Sequence, residues 1–304
     1  MRVVFMGSPA FAVPSLRALM AAGYDVVAVV SQPDRPAGRG GALRMPEIKA
    51  AAIELGIEVF QPDTFKDPAT VESLASFAPD LFVVAAYGKI LSRVVLALPA
   101  RGTVNVHASL LPRWRGASPI NAAILAGDAA TGVSIMEMIF KLDAGPVISS
   151  ARTAILPGET AEALEPRLSR LGADLLVQTL PGWLNRATPA IEQDESLATY
   201  CYTLRKEDGH LRADMTAVEA ERAVRAYNPW PGAFVVNRGV RFAIWKARVV
   251  GPATARPASR ARTASSRLPS PARGSPPRRR SSRRHRSSRG QIEDERQRPM
   301  DLAQ

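Results

Sequence analysis

The sequence is poor in cysteine and histidine. Cys201 is the only cysteine, so no disulfide can form within the chain, and the three histidines (His107, His210 and His285) are too scattered for zinc-ligand spacing. Uninterrupted apolar runs of about 20 residues are also missing, which argues against a membrane-spanning helix. No signal-peptide pattern precedes the first apolar segment. These absences predict a cytoplasmic protein that uses no metal ion and does not enter a membrane.

Lysine is missing, and acidic residues are few, in the most basic part of the chain. The 304 residues carry a formal net charge of +12. Residues 251–304 hold 14 arginines, no lysine and 4 acidic residues, so +10 of the charge lies there and only +2 in residues 1–250. The basicity therefore says little about the partners of the folded part.

Large apolar residues are nearly missing from residues 251–290, where Leu268 is the only large aliphatic or aromatic residue. Such a segment cannot bury enough apolar surface to offset the backbone entropy of folding, roughly 1–2 kcal/mol per residue. We therefore predict that 251–304 is a disordered, low-complexity Arg/Ser/Pro tail.

Residues 1–188 alternate between short apolar runs rich in β-branched residues and segments of helical periodicity. This alternation predicts an α/β fold, with a mostly parallel, Rossmann-like sheet covered by helices on both faces. Ligands bind such sheets beyond the carboxyl ends of the strands, where Gly7, Tyr87-Gly88 and Asn105 to His107 fall. Strands are predicted at 2–7, 26–30, 57–60, 81–86, 103–106, 132–138 and 146–151, and helices at 46–55, 68–77, 117–126 and 159–177.

Asn105 and His107 end one of the predicted strands and lie two residues apart, so their side chains leave the same face. An amide that donates to a carbonyl oxygen beside an imidazole suits acyl transfer. The alternative is a strand end whose polar residues only satisfy backbone groups. Asp143, in a tight Asp-Ala-Gly-Pro turn, is a carboxylate that could orient His107, although such a sequence is also ordinary turn chemistry.

The composition of two loops indicates which class of ligand the protein binds. The first, after the strand at 2–7, has one glycine followed by Ser-Pro and lacks the glycines of a dinucleotide fingerprint, which argues against a nicotinamide enzyme. The second, Ser31 to Pro46, is glycine-rich and carries Arg35, Arg39 and Arg44 against one acid, Asp34. Spaced arginines on a flexible loop suit a phosphate backbone, but a solvated surface loop has the same composition.

Taken as a set, these segments resemble the folate-dependent formyltransferases, over residues 1 to about 250. Within that family, the arginine-glycine loop and the Asn228-Pro-Trp-Pro-Gly232 segment are most similar to the members that act on aminoacylated initiator tRNA. The matching stretches include Phe5–Leu16, Gln32–Gly40, Val59–Pro62, Ala86–Gly88, Asn105–Ile120, Leu142–Val147, Lys206–Gly209 and Tyr227–Phe234.

The resemblance implies transfer of a formyl group from 10-formyltetrahydrofolate to the α-amino group of methionine esterified to initiator tRNA, for translation initiation, without a metal. It carries Asn105, His107 and Asp143 over as the catalytic residues. By the same match, Arg35, Arg39 and Arg44 contact tRNA. The residues that match the folate contacts are Ser109, Leu110, Leu111 and Pro112, with Ile90 and Leu91 lining the pterin slot.

The resemblance also implies the domain organisation. A formyltransferase catalytic domain covers 1–188, a linker 189–204 and an incomplete, OB-like β-barrel tRNA-binding domain 205–250. Because the apolar strands that would complete the barrel are missing after Val250, residues 251–290 suggest a frameshift, with the frame restored near Gln291. A genuine basic tail that binds RNA non-specifically is the competing interpretation. The chain is expected to be a monomer.

Three rival functions remain open at this point. One is a related formyltransferase that acts on a small amine, and the second is a hydrolase that releases formate from the same folate. The third is a non-catalytic RNA-binding relic of such an enzyme. The basic loop argues against the first, and the intact trio of Asn105, His107 and Asp143 argues against the third.

Overall fold

A seven-stranded sheet is the central element of the described residues. The computed structural model describes residues 1–37 and 42–250; Arg39 and the tail predicted at 251–304 lie outside these described residues. In chain order the strands are β1 (Arg2–Gly7), β2 (Asp25–Val30), β3 (Arg35–Ala37), β4 (Ala42–Arg44), β5 (Glu58–Phe60), β6 (Leu81–Ala85), β7 (Thr103–His107), β8 (Arg115–Gly116), β9 (Ala130–Glu137), β10 (Val147–Ala154), β11 (Tyr200–Cys201), β12 (Ala233–Asn237) and β13 (Val240–Ile244).

The helices cover both faces of this sheet. They are α1 (Val13–Ala21), α2 (Glu47–Glu54), α3 (Pro68–Ala75), α4 (Arg93–Leu96), α5 (Pro119–Ala126), α6 (Ala161–Leu184) and α7 (Ala217–Ala226). None of the helices in the described part of the chain is long and apolar enough to cross a membrane.

The strand order in the sheet is β10-β9-β7-β6-β1-β2-β5. The five strands from β7 to β5 in that order pair in parallel, and β9 pairs antiparallel with both β7 and β10. The predicted mostly parallel, Rossmann-like sheet is confirmed.

The central strands are apolar throughout because both of their faces are covered. In β1, Val3 and Phe5 pack into the core that includes α1 and α6, whereas Val4 and Met6 pack into a second core on the other face. All five residues of β6 are buried. This two-sided burial explains why the strands read as continuous apolar runs rather than as an alternation.

Helix α6 runs further than its predicted end at residue 177. It begins after Thr160, whose side chain accepts from the Ala163 amide, and continues through Pro181 to Leu184. A proline inside a helix costs about 3 kcal/mol, but full burial of each leucine such as Leu176 or Leu180 stabilises by about 1.5–3 kcal/mol. Packing against the core therefore carries the helix past a residue that usually ends one.

Beyond α6, residues 200–226 pack back on the sheet domain. Strand β11 pairs in parallel with β8, and α7, which begins with a Thr216–Glu219 capping box, packs on α5. Strands β12 and β13 form a hairpin, whose turn has Arg238 and Gly239 at positive φ, as a tight hairpin turn requires. Within the described residues β12 and β13 form a two-stranded sheet of their own, and one isolated bridge joins Phe234 of β12 to His210. The OB-like barrel therefore stays a prediction.

Candidate active site

The carboxyl ends of β1, β2 and β6 meet at one edge of the sheet. Ser8 Oγ donates to the Tyr87 carbonyl oxygen at 3.2 Å, and the Gln32 side-chain amide donates to the same oxygen at 2.9 Å. Gly7 is required by packing: a Cβ there would lie 2.6 Å from the Ala12 Cβ and 2.9 Å from the Ala85 carbonyl oxygen. Because Gly7 has no side chain, the end of β1 can approach Ala12 and the end of β6 closely.

Asn105 and His107 lie on β7, next to β6 in the sheet. Val104 and Val106 belong to the core that includes α6, so by the alternation of a strand Asn105 and His107 leave the opposite face. Asn105 is 8% exposed and His107 is 6% exposed. Among residues 1–37 and 42–250 no group bonds to the Asn105 side-chain amide, and the amide is not fully enclosed, so its N–H groups can donate to a ligand.

The imidazole of His107 lies between two acceptors. Its Nε2 is 2.9 Å from the Trp114 carbonyl oxygen, and its Nδ1 is 3.8 Å from Asp143 Oδ2. A carbonyl oxygen only accepts, so Nε2 carries a proton in this arrangement and Nδ1 faces the carboxylate. The tautomer is thus set by the Trp114 carbonyl oxygen and not by Asp143. At 3.8 Å the carboxylate is beyond hydrogen-bond distance, as catalytic contacts often are before a ligand binds.

Asp143 occupies the turn between β9 and β10. Its φ of +44° is unusual for a residue with a side chain, and its Oδ2 accepts from the Gly116 amide at 2.8 Å. Gly145 is required two residues later because a Cβ there would lie 1.9 Å from the Glu137 carbonyl oxygen. The turn therefore presses closely on β9 and presents its carboxylate to the end of β7.

The predicted folate-contact segment follows β7 directly. Ser109 is fully buried and its Oγ donates to the Arg113 carbonyl oxygen at 2.6 Å, so its side chain closes the loop and is not free to contact a ligand. Leu110, Leu111 and Pro112 are half-buried. Ser134 Oγ accepts from the Leu111 amide at 3.1 Å and anchors the segment to β9.

The second predicted folate-contact pair divides between surface and core. Ile90 is 86% exposed, whereas Leu91 is 3% exposed and packs in the core that contains Tyr87. Only Ile90 therefore offers its whole side chain to a ligand.

The sequence did not predict three residues of this site: Arg115, Gln193 and Glu195. The Arg115 side chain is 0% exposed and forms an ion pair with Glu195 at 2.9 Å. Gln193 Nε2 donates to the carbonyl oxygens of Asp143 and Gly145 at 2.9 and 2.7 Å. Hydrogen bonds from Arg115 and Lys141 lower the pKa of Glu195 to about 2. Arg115 stands inside the motif Arg-Trp-Arg-Gly, but nothing in that motif points to partners about eighty residues away.

A cavity of about 690 Å³ lies beside the site. Trp114 and Cys201, which both lie close to His107 and Asp143, are part of its wall together with Tyr200, Tyr202 and Arg205. Burial, with a further contribution from the Asp143 charge, raises the pKa of the Cys201 thiol to about 11. The thiol is therefore protonated at neutral pH and is a wall of the cavity rather than a nucleophile.

Of the predicted tRNA contacts, Arg35 and Arg44 lie on the short hairpin β3–β4, where they are cross-strand partners in register. Both are exposed, and Arg44 pairs with Glu47 at 2.6 Å at the surface. Like charges directly opposite each other destabilise a hairpin, so this pair favours an anionic ligand. Lys49 and Asp34 form an ion pair at 2.7 Å at the base of the loop.

The sequence is similar to known formyl transferases over most of its length. Residues 1–180 match the family model described as formyl transferase, and residues 203–268 match that of the formyl transferase C-terminal domain. A methionyl-tRNA formyltransferase from Methylococcus capsulatus is 48% identical over 258 residues, which cover 84% of this chain and 83% of the relative. One from Moorella thermoacetica is 46% identical over 260 residues, or 86% of this chain and 84% of the relative.

Solved structures share the fold at low sequence identity. A 4-N formyltransferase from Francisella tularensis superposes with a TM-score of 0.65 at 15% identity and covers 82% of this chain and 98% of that protein. An N-formyltransferase from Helicobacter canadensis, solved with folinic acid and dTDP-3-aminofucose, has a TM-score of 0.59 at 16% identity and covers 78% of this chain and 84% of that protein.

Proposed function

Because the chain belongs to the formyl transferase family, we propose that the site at the end of β7 transfers the formyl group of 10-formyltetrahydrofolate to the α-amino group of methionyl initiator tRNA. The relatives that are 46–48% identical over more than four fifths of the chain are methionyl-tRNA formyltransferases. The observation that carries the site assignment is the arrangement at the end of β7. Asn105, whose amide makes no hydrogen bond within the described residues, lies two residues from His107, and Asp143 faces His107 at 3.8 Å.

Asn105 stabilises the negative charge of the reaction. When the neutral amine attacks the formyl carbon, charge develops on the formyl oxygen, and the free N–H of Asn105 is available to donate to it. Such a preorganised donor in a nearly dry site is worth about 10²–10³ in rate. Its partial exposure of 8% supports contact with a bound group.

His107 moves the proton. The amine nitrogen loses a proton as the new C–N bond forms, and the folate nitrogen gains one as the old C–N bond breaks, so no net proton is needed. His107 Nδ1, the ring nitrogen not held by the Trp114 carbonyl oxygen, takes up and returns this proton. Asp143 stabilises the imidazolium that forms between the two steps.

The folate lies against the segment after β7. Leu110, Leu111 and Pro112 offer half-buried apolar surface, and Ile90 offers an exposed apolar side chain at the neighbouring strand end. Apolar side chains beside a few directed polar groups are typical of a small-molecule site, which fits the flat ring system of a folate.

The acceptor tRNA is held by charge on the β3–β4 hairpin. Arg35 and Arg44 face each other across it, and a phosphate between them relieves their repulsion. Arg39, outside the described residues, belongs to the same loop in sequence. The cavity beside Trp114 and Cys201 is where the methionyl end of the acceptor reaches His107.

The domain organisation 1–188, 189–204 and 205–250 is part of the proposal, as is the OB-like character of the last part. The match of residues 203–268 to the family's C-terminal domain supports it. A cytoplasmic location and a monomeric state are likewise proposed.

The assay is formylation of methionyl-tRNA by the purified protein with 10-formyltetrahydrofolate. We expect His107→Ala to lower kcat by about 10³-fold, within the range of lost acid–base catalysis, while the melting temperature stays near that of the wild type. Formate release without any amine acceptor, or turnover of a small amine in place of the charged tRNA, would assign a different reaction. Near-normal turnover by His107→Ala would refute the role of the imidazole.

The tRNA contact has its own test. Arg44→Ala should raise the KM for tRNA and reduce the slope of log(kcat/KM) against log salt by about 1, because one phosphate contact is lost. Arg17→Ala is the matched control, since Arg17 is an exposed arginine in a surface ion pair on α1. An equal change in the KM for folate would contradict a tRNA role for the hairpin.

A further inference from the structure

The segment 189–204, predicted as a linker, passes directly over the Asp143 turn. Gln193 lies in it, and both ends of its amide are bonded: Nε2 donates to the Asp143 and Gly145 carbonyl oxygens at 2.9 and 2.7 Å, and Oε1 accepts from Arg115 Nε at 3.0 Å. A carbonyl oxygen only accepts and a guanidinium only donates, so a single orientation of the amide satisfies all three bonds.

Arg115 holds Gln193 in that orientation. Its guanidinium is completely buried and also donates twice to Glu195, at 2.9 and 3.2 Å. Glu195 in turn accepts from Lys141 Nζ at 2.9 Å. The turn is thus held at three points, Lys141, Asp143 and Gly145, by residues of the 189–204 segment.

The position of this turn decides whether Asp143 can act. The 3.8 Å between His107 Nδ1 and Asp143 Oδ2 lies about half an ångström beyond a hydrogen bond, so a small backbone shift makes or breaks the contact. The positive φ of Asp143 costs energy unless neighbouring groups impose it. Gln193 supplies the hydrogen bonds that hold this backbone.

We propose that Gln193 is a positioning residue of the transfer reaction, which fixes the Asp143 turn so that the carboxylate stays within reach of His107. The inference rests on the proposed function for its kinetic consequence, but its structural consequence does not depend on activity. The segment 189–204 is accordingly part of the catalytic apparatus as well as a connection between domains.

Two substitutions separate the contacts of Gln193. Gln193→Met removes all three hydrogen bonds and should lower kcat by about 10- to 100-fold, with the KM for both substrates within about twofold. Gln193→Glu keeps an acceptor for Arg115 but turns a carboxylate oxygen toward two carbonyl oxygens, so it should lose at least as much. Gln178→Met, at an exposed position on α6, is the matched control and should leave kcat unchanged. Wild-type kcat in Gln193→Glu would overturn the proposal, because the contact to Arg115 alone would then suffice.

The dependence on Asp143 is tested by a double-mutant cycle under single-turnover conditions. In an Asp143→Asn background, Gln193→Met should cost no more than about twofold, because its effect passes through the carboxylate. If Gln193→Met lowered the rate in the Asp143→Asn background by the same factor as in the wild type, the positioning role would be refuted. Hydrogen exchange is independent of activity: the amides of residues 141–145 should exchange faster in Gln193→Met than in Gln178→Met, and equal exchange would overturn the proposal. A wild-type protein that transfers no formyl group would instead refute the proposed function.

Discussion

Most substitutions in a protein core lower the free energy of unfolding, but replacement of Tyr87 by phenylalanine should raise it. Its side chain is 2% exposed and packs in the core beneath the site, with its ring centroid 6.3 Å from that of Phe65. Its hydroxyl has no hydrogen-bond partner in the described part of the chain. Replacement by phenylalanine removes the hydroxyl and leaves the ring, and the backbone carbonyl of residue 87 that Gln32 and Ser8 contact is unchanged.

The expected gain follows from two opposing quantities. A buried polar group without a partner costs about 1–3 kcal/mol. The void left by one oxygen, on the order of 10–15 Å³, costs about 0.3 kcal/mol at about 24 cal/mol per Å³. Tyr87→Phe should therefore raise the free energy of unfolding by about 1–2 kcal/mol, which corresponds to about 2–8 °C in Tm for a domain of this size.

The pH dependence gives a second measure of the same hydroxyl. Burial raises the pKa of Tyr87 above its ordinary value of 10.0, so the folded protein keeps the phenol neutral while the unfolded chain ionises it above pH 10. The wild type should lose stability as the pH rises past 10, and Tyr87→Phe should lack this part of the loss.

Urea unfolding monitored by circular dichroism measures both effects. Tyr202→Phe is the control for stability, since Tyr202 is 83% exposed and its hydroxyl is hydrated in both states. If Tyr87→Phe lowered the free energy of unfolding by 1 kcal/mol or more, the hydroxyl would have a partner in the folded protein, such as a buried water molecule, and the reasoning would be wrong.

Three further predictions follow from the site. Asn105→Ala should lower kcat by about 10²–10³-fold with little change in Tm, because it removes an oxyanion donor; a kcat within about threefold of the wild type would contradict that role. Cys201, with its pKa raised to about 11 by burial, should resist alkylation by iodoacetamide at pH 8 in the folded protein and react in urea; rapid labelling of the native protein would show that the thiol is accessible. Because the pKa of Glu195 is lowered to about 2 by Arg115 and Lys141, its stabilisation is present above its ordinary value of 4.5 and is lost as the pH falls toward 2. Glu195→Gln should therefore show a shallower loss of stability than the wild type in that window, and identical acid titrations would rule out the coupling.

Much of the fold was predictable because apolar patterning is a local property. Strands such as β1 and β6 are covered on both faces, and their uninterrupted apolar runs already predicted a parallel sheet. The end of α6 was not predictable, since Pro181 is a local signal to stop, and only burial of the leucines around it outweighs that signal. Helix bounds set by tertiary packing are invisible to periodicity.

For the site, too, some features could be predicted from the sequence and others only from the folded chain. The spacing of Asn105 and His107 on a strand predicted that their side chains share one face, whereas their catalytic role, like that of Asp143, was predicted from resemblance to a family. The Trp114 carbonyl that holds His107 could not be found from residue types, because every residue has a carbonyl group and only the folded chain decides which one faces the imidazole.

By itself, the sequence determined the alternation of strands and helices, and it predicted that an amide and an imidazole lie at the end of one strand, on the edge of the sheet proposed as the ligand site. Each of these depends on residues close together in the chain. Tertiary structure alone decided the 3.8 Å between His107 and Asp143, the complete burial of Arg115 and the placement of Gln193 across the Asp143 turn. These contacts join residues 36 to about 80 positions apart, and their geometry depends on how the turn, the sheet and the segment 189–204 pack against one another.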